Sequence, residues 1–495
     1  MKHLILSFSL LFLLSNAAQA QKNPKYNDPT SLKSLAEAFA QKSWGEFREL
    51  LGIPNDAHFP DDIAKNREWC IQAFEKRGFQ MKELATERLP LLLAERPSPK
   101  AKKTVLIYLQ IDGQPVDPRA WDQDNPWQPV LKARKGDKWE IIDWNKINDQ
   151  PDPDWRIFAR ATSDAKGPVA MFLAALDAQK SIGKVSNYHI KVIMDFEEEL
   201  GSPPLPSAVT KYKEDLAADM LIIFDGPRHI SNRPTLTFGA RGIATIQLTV
   251  FGPRKPQHSG HYGNYAPNPA FRLSKLLAGM KDEQGRVSIP GYYDGIELDA
   301  PTKSILAQVP DDEKAIQKSL GIAEIDAVGN NYQEAIQYPS LNIRGMSAGW
   351  VKEEVRTIVP DQALAEIDVR LVPESNPKRL LQLIRDYVKD QGYLVLDREP
   401  TEEERSKYSK IARFTSKISY QAFRTDFNSE VGLWLDRALQ KAFGEAPIKI
   451  RNSGGSIPIA PFVNTLGIPA VTVPTVNRDN NQHSPNENIR LGNYV

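Results

Sequence analysis

Two adjacent acids that follow a largely apolar run constrain the fold of this chain more than any other feature. The segment His189–Phe196 is short and rich in β-branched residues, and Glu198 and Glu199 follow it after one further acid, Glu197. A run of this kind is typical of a strand that is buried on both faces of a sheet. In open α/β sheets, ligands bind outside the carboxyl ends of the strands. A strand that ends in two acids can give one to a metal ion and leave the other free as a base.

Other runs of the same kind predict an α/β core. They are Thr104–Leu109, Met220–Phe224 and Ala470–Val473, each of which is short and nearly all apolar. Between the first of them and His189 lies Gly167–Ile182, whose apolar residues favour a crossover helix. This alternation predicts a mixed, largely parallel sheet flanked by helices.

A second unit of different character begins near Thr235. Its segments Ala244–Phe251 and Gln362–Val372 alternate apolar and polar residues, as strands with one wet face do. Helical periodicity marks Asn268–Met280 and Pro377–Gln391. This order predicts an inserted α+β unit, with an antiparallel sheet that carries two helices on one face. The helix predicted at Asn428–Phe443 then returns the chain to the first unit.

The predicted boundaries follow from these patterns. Residues 1–20 are a signal peptide, 21–234 and 401–495 form the first domain, and 235–400 form the inserted domain. Three charged or irregular stretches give no clear structural prediction: 132–154, 285–326 and 399–416.

The N-terminus predicts export. A basic start at Lys2, the apolar stretch Leu4–Leu14 and the small residues Ala18 and Ala20 have the pattern of a secretory signal that is cleaved before Gln21. Cleavage removes one lysine and no acid, so the formal charge falls from +1 to 0. Such a chain has no general attraction for nucleic acid or anionic membranes. We expect a soluble protein, periplasmic or secreted, whose single cysteine, Cys70, packs as a small apolar group.

Several polar residues fall where they can converge on one crevice. Gln110 and Asp112 follow the Thr104–Leu109 strand, and Asp225 follows Met220–Phe224. Asp164 lies just before the predicted helix at Gly167, where the helix dipole favours a carboxylate. His483 lies on the loop after the last core strand. Carboxylates and imidazole together predict a site for one or two divalent cations.

The order and spacing of these motifs carry a resemblance. The chain resembles the M20 family of co-catalytic metallopeptidases, in particular its dipeptidase and carnosinase-like branch, over nearly all of the mature sequence. The resemblance implies a catalytic domain with an inserted dimerisation or lid domain. One departure from the family pattern is Gln110, which stands where a histidine ligand is expected.

The resemblance implies roles for the residues of the predicted crevice. Asp164 would bridge two metal ions, Asp225 and Gln110 would serve one of them, and Glu199 and His483 would serve the other. Glu198 would be the general base, and Asp112 would orient the residue at position 110. A cis peptide bond is implied after Asp164. Lys166, two residues further on, we interpret as a structural ion-pair partner.

Four further matches concern the substrate. His258 resembles a family histidine that reaches the active site of the other subunit and stabilises an oxyanion, which implies a homodimer. Arg370, Gly455 and Ser456 resemble groups that hold the free carboxylate of a substrate. A guanidinium suits this role because it can make two parallel hydrogen bonds to a carboxylate. The alternatives are a surface salt bridge for Arg370 and a simple tight turn at the glycine and serine.

The departure at Gln110 predicts unequal metal sites. An amide oxygen is neutral and hard, whereas imidazole suits zinc. We therefore expect one firm metal at Asp164, Glu199 and His483, and a weaker one at Gln110, Asp164 and Asp225. The metal would be zinc or manganese.

The sequence thus predicts an exported metal-dependent peptidase that hydrolyses dipeptides or short peptides at the C-terminal residue. Two alternatives remain open at this point. One is an amidohydrolase of N-acyl amino acids, and the other is a catalytically retired protein that only binds peptides.

Overall fold

The computed structural model describes residues 26–149 and 151–495, so the predicted signal peptide lies outside the described residues. The helices are α1 (Pro29–Leu51), α2 (Pro60–Glu75), α3 (Lys166–Ser181), α4 (Leu205–Lys211), α5 (Ser259–Tyr262), α6 (Pro269–Ala278), α7 (Ala300–Leu306), α8 (Glu313–Leu320), α9 (Tyr332–Ala335), α10 (Pro377–Asp390), α11 (Glu402–Lys407), α12 (Glu430–Phe443) and α13 (Leu491–Tyr494). None of the helices in the described ranges is long and apolar enough to span a membrane.

The strands fall into three main sheets and two short ribbons. They are β1 (Gln80–Leu84), β2 (Leu91–Arg96), β3 (Lys103–Gln110), β4 (Val130–Lys135), β5 (Lys138–Ile142), β6 (Arg156–Phe158), β7 (Tyr188–Asp195), β8 (Met220–Ile223), β9 (Thr235–Thr237), β10 (Gly239–Ala240), β11 (Gly242–Phe251), β12 (Gln257–His258), β13 (Ser340–Ser347), β14 (Ile358–Val359), β15 (Gln362–Leu371), β16 (Leu394–Leu396), β17 (Ile411–Tyr420), β18 (Phe423–Arg424), β19 (Ile448–Ile450), β20 (Ala470–Thr472) and β21 (Asn488–Arg490).

The largest sheet has eight strands in the order β1-β2-β7-β3-β8-β20-β9-β19. Its centre, β7-β3-β8-β20, is parallel, and antiparallel pairs join β1 to β2, β2 to β7 and β20 to β9. The predicted mixed, largely parallel sheet flanked by helices is confirmed. Parallel neighbours bring the carboxyl ends of β7, β3 and β8 to one edge of the sheet, and this edge carries the polar residues singled out above.

The sequence of strand β3 is continuously apolar because both of its faces are buried. Val105, Ile107 and Leu109 pack on one face of the sheet in a core with α2, α3 and α12. Leu106 and Tyr108 pack on the other face in a core that includes α4. Because helices cover both faces, neither set of side chains meets water.

The second unit is built on a five-stranded sheet in the order β13-β15-β11-β17-β16. Its pairs are antiparallel except for β16 with β17, and α6 and α10 pack on it around one core. Strand β17 belongs to this sheet, so the predicted return to the first domain at residue 401 is too early. The signal was weak because the second half of β17 is largely exposed and its residues are mostly polar.

The stretches without a clear prediction are ordered. Residues 132–154 contain most of β4 and all of β5, which pair with β6 and β21 in a four-stranded sheet. Residues 285–326 contain α7 and α8, each capped by an aspartate that accepts from a backbone N–H in its first turn. These elements are short and largely exposed, so they lack the long apolar periodicity that marks a core element.

Two predictions about buried residues have different outcomes. Cys70 packs in the main core, as expected, and burial raises the pKa of its thiol to about 12. Lys166 forms no ion pair among the described residues, so that prediction was wrong. Its ammonium group donates instead to the backbone carbonyls of Leu50 and Ile53, 2.8 and 2.5 Å away, and thereby caps the end of α1. Burial lowers the pKa of this lysine to about 7.

Candidate metal centre

The site lies at the carboxyl edge of the large sheet. Gln110 is the last residue of β3, the pair Glu198 and Glu199 forms a single 3₁₀ turn just after β7, and Asp225 follows β8 by two residues. Asp164 immediately precedes the N-cap of α3. His483 arrives on the long connection between β20 and β21. A cavity of about 550 Å³ is lined by Gln110, Asp164, Glu198, Asp225 and His483.

Three side chains form a compact group of potential ligands. One ligand atom each from Asp164, Glu199 and His483 lies within 4.8 Å of the others. The Nε2 atom of His483 is 2.8 Å from Asp164 Oδ2 and 3.4 Å from Glu199 Oε2. The two carboxylates are almost fully buried, whereas the histidine is half exposed. The structure therefore brings together all three residues of the predicted firm site.

The electrostatics of this group favour a cation. Burial, followed by repulsion from Asp164, raises the pKa of Glu199 to about 8. Burial and the same neighbour raise the pKa of Asp225 to about 7. The hydrogen bond to Asp164 raises the pKa of His483 to about 9. Carboxylates crowded in this way exchange their protons for a positive ion when one binds.

An unpaired oxygen provides an independent test of whether a metal ion fits. Glu199 Oε1 is buried and accepts no hydrogen bond from the described residues, whereas its Oε2 accepts from Gln114 Nε2 at 2.7 Å. A buried carboxylate oxygen without a partner is costly unless a cation or water satisfies it. Two carboxylates and an imidazole are also a common ligand set for a divalent metal. The residues present fit such an ion.

Gln110 makes a contact that a histidine ligand would not make. Its Nε2 atom donates to Asp164 Oδ1 at 2.6 Å, so the amide satisfies one oxygen of the carboxylate that was predicted to bridge two metals. Asp225 is outside the compact group but lines the same cavity. Gln110, Asp164 and Asp225, the residues of the predicted weaker metal site, thus all line the cavity. A hydrogen bond from the amide of Gln110 to Asp164 joins two of them.

Asp112 holds the acidic turn rather than residue 110. Its two carboxylate oxygens accept the backbone N–H groups of Glu198 and Glu199 at 3.1 and 3.0 Å, and its side chain is fully buried. The prediction that Asp112 orients residue 110 was wrong. The amide of Gln110 is directed at Asp164 instead.

Glu198, which lies next to Glu199 in the 3₁₀ turn, lines the same cavity. Burial raises its pKa well above the ordinary value, and repulsion from Asp225, Glu199 and Asp164 adds to the effect. A carboxylate with a raised pKa is a stronger base near neutral pH, as a general base requires.

Glu487 is a residue that the sequence interpretation did not assign. Its fully buried carboxylate accepts the backbone N–H groups of Ala161, Ser163 and Asp164 at 2.9 Å each. It also pairs with the buried guanidinium of Arg160 at 2.7 Å. The implied cis peptide bond between Asp164 and Ala165 is present in the segment that Glu487 holds. One signal for Glu487 was available in the sequence, its position four residues after His483. Nothing in the sequence pattern indicated that it contacts Arg160 and the segment before α3.

The residues predicted to bind substrate lie in different places. Arg370, on β15, donates from Nη1 to Ser456 Oγ at 3.0 Å, and Gly455 and Ser456 line the cavity. The second unit therefore meets the metal centre at this loop. His258 is exposed at the start of α5 and does not line the cavity. Its predicted action across a subunit interface stays a prediction.

Comparisons with known proteins agree with this fold. Residues 238–394 match the family model for the peptidase dimerisation domain. The chain is 26% identical to mouse Beta-Ala-His dipeptidase, over 82% of this chain and 77% of that protein. It is 24% identical to the Cys-Gly metallodipeptidase of Candida albicans, over 97% of each. An M20 family metallo-carboxypeptidase from Sulfolobus solfataricus superposes with a TM-score of 0.74 and 28% identity, covering 91% of this chain and 95% of that one.

Fold, site and comparisons together define a metallohydrolase that acts on peptide bonds. More particularly, the chain contains a segment that matches the peptidase dimerisation domain, and over most of its length it is similar to an M20 family metallo-carboxypeptidase.

Proposed function

We propose that this protein is an exported dipeptidase or short-chain carboxypeptidase that depends on a divalent metal ion and acts as a homodimer. The observation that carries the proposal is the compact group of Asp164, Glu199 and His483 at a cavity that Glu198 also lines. The named activities of the similar proteins, on Beta-Ala-His and Cys-Gly dipeptides, support a dipeptide substrate. Export rests on the sequence pattern of residues 1–20 alone.

Asp164, Glu199 and His483 would hold the metal ion, and Gln110 and Asp225 would contribute to a weaker second site. When bound, a divalent cation supplies Lewis acidity that polarises the peptide carbonyl and makes water more acidic. Zinc and manganese both suit carboxylate and imidazole ligands.

Glu198 would accept the proton of the attacking water and pass it to the amine that leaves. Its raised pKa favours both steps. A carboxylate with a raised pKa is a stronger base and takes the proton from water, and the carboxylic acid that forms is weak enough to hold the proton until the amine leaves. Asp112 fixes the backbone of the turn that carries Glu198, and Glu487 fixes the backbone of the segment that carries Asp164.

Arg370 and Ser456 would hold the free carboxylate at the C-terminus of the substrate. Arg370 Nη1 and Ser456 Oγ are 3.0 Å apart, which supports a shared role for these two polar groups. The planar guanidinium can bind both oxygens of a carboxylate. A substrate anchored in this way presents its last peptide bond to the cavity.

The experiment that tests this function is hydrolysis of a mixed dipeptide library and of N-acyl amino acids by the mature protein, with zinc and manganese added separately. We expect cleavage of dipeptides, and we expect their C-terminal amides to be poor substrates because Arg370 loses its anionic partner. Preferential hydrolysis of N-acyl amino acids would identify an amidohydrolase instead. Peptide binding without turnover in either metal would identify a retired enzyme.

A further inference from the structure

A second cavity opens beside the metal centre. It has a volume of about 460 Å³, and Asp225, Gly226, Pro227, Ser453, Ile457 and Arg478 line both cavities. The volume lies within the range of small-molecule sites, which is about 300–1,000 Å³. Because six residues line both cavities, the two are adjacent, and a ligand in the first lies within reach of the second.

The wall of the second cavity is largely apolar on the side formed by α8 and α9. Ile316 and Leu320, one turn apart on α8, and Ile336, just after α9, line it together with Ile230. Leu320 and Ile230 are 64% and 66% exposed, so the rim of this cavity presents apolar surface to solvent. This rim can cover the apolar side chain of a bound ligand.

Two ionisable side chains on the α8 side of this cavity, His229 and Asp311, are paired with each other. His229 Nε2 lies 3.1 Å from Asp311 Oδ1, and Gln333 Nε2 donates to Asp311 Oδ2 at 2.7 Å. Arg228 stacks over the ring of Phe443 at 5.1 Å. Arg478 and Asp225 stand in the wall that both cavities share. On the α8 side an incoming group therefore meets apolar side chains beside the paired His229 and Asp311, while the guanidinium of Arg228 lies against Phe443.

We propose that this second cavity is the pocket for the side chain of the substrate's N-terminal residue, and that it selects large apolar side chains. This inference rests on the proposed function. Gly455 and Ser456, which are assigned to the C-terminal carboxylate, line only the first cavity, so the C-terminal residue occupies that cavity. The side chain of the preceding residue then extends past Asp225 into the second cavity.

The test compares kcat/KM for two series of dipeptides. One series varies the N-terminal residue (Ala-Ala, Leu-Ala, Phe-Ala) and the other varies the C-terminal residue (Ala-Leu, Ala-Phe). We expect Leu-Ala to exceed Ala-Ala by about tenfold or more, since an apolar pocket discriminates by that factor for each methylene-sized difference. Ile316→Trp should fill the pocket and lower kcat/KM for Leu-Ala and Phe-Ala by about tenfold, while Ala-Ala and the second series change little.

Two further variants keep the test decisive. Leu320→Trp, at the exposed rim, should reproduce the effect if Ile316→Trp does not fold. Lys318→Trp, on the same helix but outside the cavity lining, should leave both series unchanged. Equal losses in both series, or no loss in the N-terminal series, would overturn the pocket assignment while leaving the peptidase activity intact. Failure of the wild type to cleave any dipeptide would overturn the proposed function and the pocket with it.

Discussion

At the scale of single residues, the proposed mechanism depends most on Glu198. Its neighbour Glu199 belongs to the ligand group, whereas Glu198 lines the cavity with a raised pKa. The two adjacent carboxylates thus differ in position: Glu199 belongs to the compact group of potential ligands, and Glu198 lines the cavity.

Glu198→Gln should lower kcat by about 10²–10⁴-fold, because loss of a general base typically has that effect. Metal content should stay unchanged, as the ligand group is intact. Steady-state kinetics and elemental analysis measure both quantities. Glu214→Gln, an exposed acid remote from the cavity, is the control. Near-normal turnover in Glu198→Gln would remove this residue from the mechanism.

Metal affinity should depend on pH through His483. Its hydrogen bond to Asp164 raises its pKa to about 9, so the imidazole is protonated below that pH in the metal-free protein. A metal binds only the neutral imidazole, so the association constant should rise with pH up to about 9, with release of a proton. Calorimetric titration of zinc in buffers of different ionisation enthalpy reports the protons released. Affinity that does not change over this range would contradict the assignment.

The sequence predicted which side chains meet in the compact group but not the other contacts around it. Asp164, Glu199 and His483 were recognisable from motif order, since strand ends and loop positions follow from apolar patterning. The amide contact of Gln110, the backbone contacts of Asp112 and the role of Glu487 depend on where distant loops meet. No local pattern encodes such a meeting.

At the scale of elements, the segment between β6 and α3 is held by a buried ion pair. Glu487 precedes β21 by one residue, and Arg160 lies two residues after β6. The pair is almost completely buried, and the carboxylate also accepts three backbone N–H groups. A single side chain therefore joins the loop of His483 to the loop of Asp164.

Glu487→Gln should destabilise the protein by about 3–5 kcal/mol, because it leaves the buried Arg160 without a counter-charge. The free energy of unfolding from urea denaturation measures this loss. Glu140→Gln breaks an exposed pair with Lys135 of 3.3 Å and should change stability by less than about 1 kcal/mol. Equal effects of the two substitutions would show that the buried pair has no special role.

The elements themselves divide into those that the sequence predicted and those that it did not. Strands β3, β7 and β11 and helices α6, α10 and α12 have long apolar patterns, and they lie within two residues of the predicted bounds. Strands β4 and β5 and helices α7 and α8 are short and polar, and their stability comes from tertiary packing. The second cavity depends on α8, which is why the sequence alone could not predict it.

At the scale of the whole molecule, the second unit contributes Arg370 to the neighbourhood of the metal centre and carries the dimerisation domain. The exposed position of His258 on this unit is compatible with a role in a neighbouring subunit. A homodimer with such an exchange would have two sites, each completed by its partner.

Subunit mixing tests this exchange. His258→Ala and Glu198→Gln should each be nearly inactive alone. After subunit exchange in equal amounts, mixed dimers should have one complete site, and activity should recover to about a quarter of the wild-type value. Native mass spectrometry confirms that the dimers have exchanged. Mixed dimers without recovered activity would show that His258 does not act across the interface.

The proposed function requires that Asp164, Glu199 and His483 hold a metal ion on which peptide hydrolysis depends. The most direct measurement is bound metal and dipeptide turnover in the same samples, after chelation and stepwise return of zinc or manganese, for wild type and His483→Ala. We predict that wild-type turnover returns in proportion to bound metal and that His483→Ala recovers neither. Full turnover by chelated wild type, or unchanged metal content in His483→Ala, would contradict the claim.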